Sequence, residues 1–189
     1  GIKRIVYASS SSCYGDEETL PKVESKIGKQ LSPYAVTKRV SELYASVFSE
    51  LHGMEMIGLR YFNIFGPRQD PEGMYAAVIP KFAKMLINGE SPIIFGDGEQ
   101  TRDFTSIENA VQANLLALFT DKEEAINKVY NIACGERISV NELFIKIRKI
   151  LSSREKTIEG IKPIHENSRA GDIKHSLADI SLARKCLNY

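Results

Sequence analysis

The sequence predicts an α/β protein with a parallel sheet, and three observations support that prediction. Short β-branched runs alternate with longer segments whose apolar residues recur every three or four positions. Hydrophobic residues make up 43% of the 189 residues and charged residues 26%, which is ordinary for a globular protein and argues against disorder. Lys plus Arg (25) nearly equals Asp plus Glu (24), and no apolar run is long enough for a membrane span, so we expect neither a nucleic-acid nor a membrane partner.

The first third of the chain is predicted to form a strand, a helix and a second strand. The run Ile2–Ser9 is typical of a buried strand. Ser32 and Pro33 suit the N-cap and first position of a helix, and Gly53 suits its end. Met54–Phe62 is the second strand. The wide apolar face of the helix consists of Val36, Val40, Leu43, Tyr44, Val47, Phe48 and Leu51.

The rest of the chain begins with a turn-rich stretch, Asn63–Gly73, and continues as short alternating elements. The predicted strands are Ile93–Phe95, Arg102–Thr105 and Lys128–Ala133. The predicted helices are one that ends at Gly89, one over Ser106–Phe119, one after the capping box Ser139–Glu142 and one from Asp179. This alternation is typical of βαβ units.

The three cysteines, Cys13, Cys134 and Cys186, are widely spaced. That spacing supports neither a disulfide framework nor a CxxC metal site. The histidines have no metal-ligand spacing either. We therefore expect reduced thiols, no metal and a cytoplasmic protein.

Tyr34 and Lys38 form the first pair that indicates chemistry. Because they are four residues apart on a predicted helix, they lie on one face about one turn from each other. An ammonium beside a phenol favours the phenolate, which makes Tyr34 a candidate general base. Such a short pattern also occurs as a solvated surface pair, so by itself it leaves both interpretations open.

A run of four hydroxyl side chains, Ser9–Ser12, directly follows the first predicted strand. Open α/β sheets bind ligands at the carboxyl ends of their strands, where this run is expected. Buried hydroxyls need hydrogen-bond partners, so the run is not explained as core. A polar loop selected for turn formation is the alternative.

With further motifs in the same order, these residues resemble the extended short-chain dehydrogenase/reductase family, and most of all its NAD-dependent UDP-N-acetylglucosamine 4-epimerases. The resemblance covers nearly the whole chain, and the combination is more specific than any single motif. It implies the C-terminal part of a Rossmann-like doubly wound parallel sheet over 1–62 and a smaller α/β substrate-binding domain over 63–189. About 105–133 would return to the sheet. The matching stretches are Ala8–Gly15, Ser32–Lys38, Arg60–Asn63, Gly96–Gly98, Thr101–Phe104 and Arg169–Asp172.

The resemblance also implies a mechanism with bound NAD. Tyr34 would take the proton of the sugar 4-hydroxyl while C4 gives hydride to NAD, and Lys38 would hold the nicotinamide ribose. Ser10, supported by Ser11 or Ser12, would hydrogen-bond the 4-oxygen. The 4-keto sugar would turn over in the pocket and take the hydride back on its other face.

The other implied contacts divide between the cofactor and the UDP-sugar. On the cofactor side the resemblance implies Ser9, Tyr61 and Phe62. On the UDP-sugar side it implies Ser12, Asn63, Gln69, Phe95, Arg102, Arg169, Asp172 and Ser176. Phe95 would pack the uracil, and the two arginines would meet the diphosphate. Ser176 would leave room for an acetamido group, although an ordinary loop residue is the alternative.

Other enzymes of the family differ at the strand end. The 4,6-dehydratases need an Asp-Glu pair where Ser11 and Ser12 stand, and UDP-glucuronate decarboxylases have a Glu in place of Ser12. A UDP-glucuronate 4-epimerase shares the serine run and stays open as an alternative. A UDP-glucose/UDP-galactose epimerase also stays open.

The glycine-rich turn that binds the dinucleotide pyrophosphate in this family, Gly-x-x-Gly-x-x-Gly, does not occur in the sequence. We therefore expect the chain, which begins at Gly1 without a Met, to be the second part of a larger protein. A piece that binds nucleotide sugar without catalysis is the alternative. The helix with Tyr34 resembles the family's dimer helix, so we expect the complete protein to be a homodimer.

Overall fold

The computed structural model describes residues 1–72, 77–168 and 174–189. Its strands are β1 (Arg4–Ser10), β2 (Glu55–Tyr61), β3 (Ile64–Phe65), β4 (Ile93–Phe95), β5 (Thr101–Arg102), β6 (Thr105–Ser106), β7 (Lys128–Ile132), β8 (Ile138–Ser139) and β9 (Ile164–Glu166). Its helices are α1 (Pro33–His52), α2 (Val78–Ile87), α3 (Ile107–Phe119), α4 (Val140–Ser152) and α5 (Ser181–Leu187). Within these ranges, no helix is both long and apolar enough to cross a membrane.

The chain divides into two units. Unit 1 comprises Gly1–Ile64, Asp103–Glu136 and Leu177–Tyr189, and unit 2 comprises Phe65–Arg102 and Arg137–Ser176. The chain therefore passes from one unit to the other after residues 64, 102, 136 and 176. Each unit has its own hydrophobic core.

Unit 1 is built on a parallel sheet whose strands lie in the order β1-β2-β7. This confirms the predicted α/β class with a parallel sheet. In the register, Ser10 is opposite Tyr61 and Tyr61 is opposite Ile132, so the three strands end at one edge. The buried residues around the central strand are Ile57, Leu59, Ala113, Ala117, Tyr130, Ile132, Ala183 and Leu187.

The ends of α1 lie where the sequence predicts them. Ser32 accepts a hydrogen bond from the Ala35 N–H at its side-chain oxygen (3.1 Å), and Pro33 is the first helical residue. Gly53 ends the helix in the left-handed conformation, with φ 61°. Short-range sequence signals therefore determine the extent of the helix that carries Tyr34.

The predicted strand over Arg102–Thr105 is wrong, because two shorter strands, β5 and β6, lie there with Asp103 between them. Asp103 is fully buried, and its carboxylate accepts hydrogen bonds from the N–H groups of Cys134 (3.0 Å), Gly135 (3.1 Å) and Ala178 (3.3 Å). Burial raises the pKa of this carboxyl, although the three hydrogen bonds oppose that rise. Its bonding to remote backbone groups interrupts the strand.

Unit 2 combines two helices with short strand pairs. β4 and β9 are parallel, and β5 and β8 are antiparallel. The core packs α2 against α4, with the rings of Phe82 and Phe144 in an edge contact at 6.2 Å between centres. The sequence did not predict β3, β8 or β9. β3 and β8 have only two residues, too few to show a period, and β9 is exposed at all three of its residues.

Candidate active site

The serine run lies at the carboxyl end of β1. Ser10 is the last residue of the strand, and a short 3-10 turn over Ser11–Tyr14 follows it. The Ser10 Oγ accepts a hydrogen bond from the Ser12 N–H (3.2 Å). Gly15 closes the turn with φ +56°, and a Cβ there would lie 1.9 Å from the Lys29 carbonyl oxygen, so the turn requires glycine.

The hydroxyls of the run have different surroundings. Ser9 is 2% exposed, and its Oγ donates to Glu42 (2.6 Å), so it is engaged inside the protein rather than directed at an open surface. Ser10 and Ser11 are partly exposed. The Ser12 Oγ is buried and has no hydrogen-bond partner in the described part of the chain. A buried hydroxyl without a partner is costly, and a polar ligand atom would satisfy it.

Tyr34 and Lys38 lie in the first two turns of α1. Tyr34 is 51% exposed, and the Lys38 Nζ lies 5.6 Å from the centre of its ring. The same ammonium donates to the Ala8 carbonyl oxygen (3.1 Å), near the end of β1. Lys38 thus lies beside the Tyr34 ring and is bonded to the strand that ends in the serine run. The tyrosine–lysine pair and the serine run thus belong to two elements that pack together.

Three predicted site residues follow each other at the end of β2. Tyr61 accepts a hydrogen bond from the Asn114 side-chain amide (2.7 Å), and burial raises the pKa of its phenol. Phe62 is fully buried in a hydrophobic cluster. Asn63 donates from its side-chain amide to the Asp103 carbonyl oxygen (2.9 Å). These side chains have partners inside the protein, and their implied roles toward cofactor and substrate stay predictions.

Unit 2 contains a cavity of about 490 Å³. Its lining combines one aromatic ring with polar and charged side chains of both signs: Phe95, Asp97, Glu99, Gln100, Ser168, Lys174 and His175. An aromatic ring and hydrogen-bonding groups in one cavity suit a nucleobase.

The other predicted substrate residues are distributed around unit 2. Arg102 donates to the Thr101 carbonyl oxygen (2.9 Å), and the Ser176 N–H donates to the same oxygen (3.1 Å). Ser176 directly follows His175 of the cavity lining. Gln69 lies in the segment between β3 and α2. Arg169 and Asp172, which the resemblance implies for the diphosphate and ribose, lie outside the described residues.

Sequence reasoning missed a buried ion pair behind the serine run. Glu42 of α1 and Arg60 of β2 each have a side chain 2% exposed, and their Oε1 and Nε atoms lie 2.7 Å apart. A second bond joins the Arg60 Nη2 to the Glu42 Oε2 (2.9 Å), and Arg39 donates to the same oxygen (2.9 Å). Burial raises the pKa of Glu42, but hydrogen bonds and charge from Arg60 outweigh it and lower that pKa overall. An arginine inside the predicted strand Met54–Phe62 was the available signal, because a charge that becomes buried needs a partner.

The ion pair continues into a second buried contact. The Arg60 guanidinium lies 4.9 Å from the ring centre of Tyr14, and the Tyr14 hydroxyl donates to Asn131 (2.6 Å). Burial raises the pKa of Tyr14 to about 12, so its phenol stays protonated near neutral pH. Tyr14 is therefore a structural phenol, whereas the half-exposed Tyr34 is accessible to a ligand.

Comparison with known proteins agrees with this geometry. The model of the NAD dependent epimerase/dehydratase family matches residues 1–133. The structure of a UDP-N-acetylglucosamine 4-epimerase from Methanobrevibacter ruminantium, in complex with UDP-N-acetylmuramic acid, has a TM-score of 0.91 and is 44% identical. A UDP-glucose 4-epimerase from Thermotoga maritima, with UDP-glucose, has a TM-score of 0.89 and is 34% identical. A UDP-glucuronic acid 4-epimerase from Bacillus cereus, with UDP-glucuronic acid and NAD, has a TM-score of 0.87 and is 32% identical.

These similarities extend over all of this chain but only part of each relative. The matches cover 100% of the chain and 57%, 58% and 56% of the three solved chains. The family model covers well over half of the present sequence, and it includes the serine run, the tyrosine–lysine pair and the end of β2. The chain therefore belongs to the NAD dependent epimerase/dehydratase family.

Proposed function

We propose that this chain carries the catalytic and nucleotide-sugar-binding residues of a UDP-sugar 4-epimerase, with UDP-N-acetylglucosamine and UDP-N-acetylgalactosamine as its substrate pair. One observation supports this most strongly. Tyr34 is exposed at the start of α1, and Lys38 beside it is hydrogen-bonded to the strand that ends in the serine run. The three solved relatives, each described as a 4-epimerase of a UDP-sugar, support the same reaction class.

The residues present fit the nicotinamide end of NAD. Lys38 uses one donor on Ala8, and an ammonium has three, so donors are left for ribose hydroxyls. The phenol of Tyr34 is accessible on the same helical face. When bound, NAD supplies the acceptor and donor of the hydride at C4.

The chain's own residues perform the proton transfer and hold the oxygen. Tyr34 accepts the proton of the sugar 4-hydroxyl and returns it after the 4-keto sugar has turned over. Lys38 lies 5.6 Å from the centre of the Tyr34 ring, on the same face of α1. Ser10 and Ser11 hydrogen-bond the 4-oxygen, and the buried Ser12 hydroxyl gains the partner it lacks.

The uridine half of the substrate is assigned to unit 2. Phe95, which lines the cavity, provides the aromatic surface for the base. Arg102 and Arg169 are assigned to the diphosphate by the family resemblance, because guanidinium groups suit phosphate oxygens. Asn63, Gln69 and Asp172 are assigned to the sugar and the riboses by the same family resemblance.

Choice of sugar is assigned to Ser176. A small side chain there leaves space for an acetamido group, so Ser176→Tyr is expected to lower turnover of the N-acetylated pair by roughly tenfold or more. Turnover of UDP-galactose by the same variant is the control and is expected to change much less. Unchanged turnover of the N-acetylated pair would show that Ser176 has no such role.

The complete protein is proposed to be a homodimer that associates through the exposed apolar face of α1. That face is defined by Val36, Val40, Leu43, Tyr44, Val47, Phe48 and Leu51, which are 40–72% exposed. Soluble proteins rarely expose so many contiguous apolar side chains without a partner.

In the decisive experiment the chain is incubated with NAD and one UDP-sugar at a time. The three UDP-sugars are UDP-N-acetylglucosamine, UDP-glucose and UDP-glucuronate. Formation of the 4-epimer is followed by anion-exchange chromatography. Tyr34→Phe is expected to lower the rate by about 10²–10⁴-fold, because it removes the acid–base group, while calorimetric UDP binding stays unchanged.

The three substrates separate the alternatives. Preferential turnover of UDP-glucuronate would favour a UDP-glucuronate 4-epimerase, and equal UDP-glucose turnover would favour a UDP-glucose/UDP-galactose enzyme. UDP binding without any turnover would favour a chain that binds nucleotide sugar only.

A further inference from the structure

The segments that carry the proposed catalytic groups are fastened to each other by hydrogen bonds from α1. Lys38 bonds to the Ala8 carbonyl oxygen, and Glu42, one helical turn later, accepts from the Ser9 hydroxyl. Ser9 directly precedes Ser10, which caps the turn of the serine run. Both contacts join the same helix to the same strand end.

The Glu42 carboxylate is more strongly held than the Lys38 ammonium. It is buried, and both oxygens are engaged: Oε1 by Ser9 and Arg60, and Oε2 by Arg60 and Arg39. Arg60 lies in β2, the strand next to β1. The carboxylate is therefore fixed by the sheet, and it in turn limits rotation and sliding of α1.

Because Glu42 and Tyr34 belong to the same helix, a restraint on Glu42 also restrains the position of the Tyr34 phenol. Glu42 is four residues after Lys38 and eight after Tyr34, so the three lie along one side of the helix, one turn apart. The carboxylate is too deeply buried to contact a substrate itself, since its side chain is 2% exposed. Any effect on a reaction must pass through Ser9 or through the helix.

We propose that Glu42 is a positioning residue that sets the distance between the Ser10–Ser12 hydroxyls and Tyr34 through its hydrogen bond with Ser9. The inference rests on the proposed epimerase function for its kinetic consequence. The other half of the inference, that the bond from Ser9 to Glu42 holds the serine turn in place, does not depend on that function. Misplacement of a reacting group by about 1 Å is enough to slow an enzyme roughly 10²-fold.

The first measurement does not require activity. Amide hydrogen exchange is compared for Ser12 and Gly15, which report on the turn, with the amides of α4 in unit 2 as an internal reference. Glu42→Gln and Ser9→Ala are each expected to raise exchange in the turn by about fivefold or more, because each weakens or removes the bond. Unchanged exchange in both variants overturns the proposal.

The second measurement separates positioning from general stability. Glu42→Gln and Ser9→Ala are expected to lower kcat by about 10- to 100-fold while KM for the UDP-sugar stays constant. The double variant is expected to be no slower than Glu42→Gln alone, because Ser9 acts through its bond to Glu42, whereas Glu42→Gln also alters the bonds to Arg60 and Arg39. If the losses of kcat in the two single variants multiply in the double variant, or if KM rises while kcat is unchanged, the proposal is overturned. Glu50→Gln, on the exposed side of α1, is the matched control and is expected to have wild-type kinetics.

The outcomes distinguish the two hypotheses. A wild-type chain without turnover contradicts the proposed function, and the exchange data still decide whether Glu42 holds the turn. If Glu42→Gln fails to fold, Ser9→Ala leaves the ion pair intact and decides both measurements. Faster exchange in the turn without any loss of kcat in an active chain also overturns the positioning role.

Discussion

Helices α1 and α4 are both amphipathic, but α4 buries large apolar side chains, whereas α1 buries two alanines and a glutamate. In α4 the buried side chains are Val140, Leu143 and Phe144, which face the core of unit 2. The buried residues of α1 are Ala35, Glu42 and Ala45, while its apolar residues face outward and are largely exposed. An apolar period of three and four residues therefore identifies a helical face, but it does not say what covers that face.

The inward face of α1 suits a helix that must lie close to the strand with the serine run. Small residues at the contact allow a short distance between helix and sheet. The one large inward side chain, Glu42, is neutralised by Arg60 and aligned by Ser9. The two faces of α1 thus have separate tasks, and substitutions on them are expected to have different consequences.

The largest effect is expected on the inward face. Glu42→Ala leaves the Arg60 guanidinium buried without its carboxylate, so the free energy of unfolding is expected to fall by about 3–5 kcal/mol. Urea denaturation followed by circular dichroism measures it. The double variant Glu42→Leu with Arg60→Met is expected to recover most of the loss, because apolar replacement of a buried pair is often neutral. A loss below ~1 kcal/mol in Glu42→Ala would contradict the importance of the inward charge.

A smaller effect on the free energy of unfolding is expected when the pH is lowered. The pKa of Glu42 lies below its ordinary value of 4.5 in the folded protein, so its stabilisation is present above that value and is lost as pH falls through the folded pKa. Wild type is expected to lose more stability than Glu42→Gln when pH falls from roughly 5 to 3. Asp103, whose pKa is raised, also contributes to the pH dependence of stability. Because it is present in both proteins, its contribution cancels in the difference between them. Parallel loss of stability in both would contradict an ionised Glu42.

The smallest effect on stability is expected on the outward face. Leu43→Lys and Val47→Lys replace exposed side chains, 51% and 48% accessible, so the free energy of unfolding of the monomer is expected to change by about 0.5 kcal/mol or less. The same variants are expected to convert dimer to monomer, as measured by light scattering after size exclusion. Ser46→Lys, at an exposed position of α1 outside the apolar face, is the matched control. A monomeric wild type would contradict the proposed dimer.

Local signals predicted much of this molecule. The cap at Ser32, the end at Gly53 and the capping box at Ser139 each depend on residues within one helical turn, and the structure has all three. The parallel sheet followed from strand–helix alternation. The start of α1, with Tyr34 and Lys38, is therefore accessible to sequence reasoning.

Long-range contacts were not predictable in the same way. Glu42 and Arg60 are 18 residues apart, and Tyr14 and Asn131 are 117 apart, so no local pattern joins them. The orphan hydroxyl of Ser12 also depends on which groups the fold places around it. Sequence reasoning selected the serine run and the tyrosine–lysine pair but missed the buried partners that hold them.

The buried carboxylate of Asp103 has a consequence for how the chain tolerates change. Cys134, Gly135 and Ala178 donate to its side chain, and Asn63 donates to its backbone oxygen. Each of these residues lies within three positions of a point where the chain leaves or enters unit 1. All four crossings are thus anchored, on the unit 1 side, to a single residue. A substitution that removes the Asp103 carboxylate is therefore expected to release two segments that are distant in sequence, Cys134–Gly135 and Ala178, while the Asn63 contact to the backbone oxygen is kept.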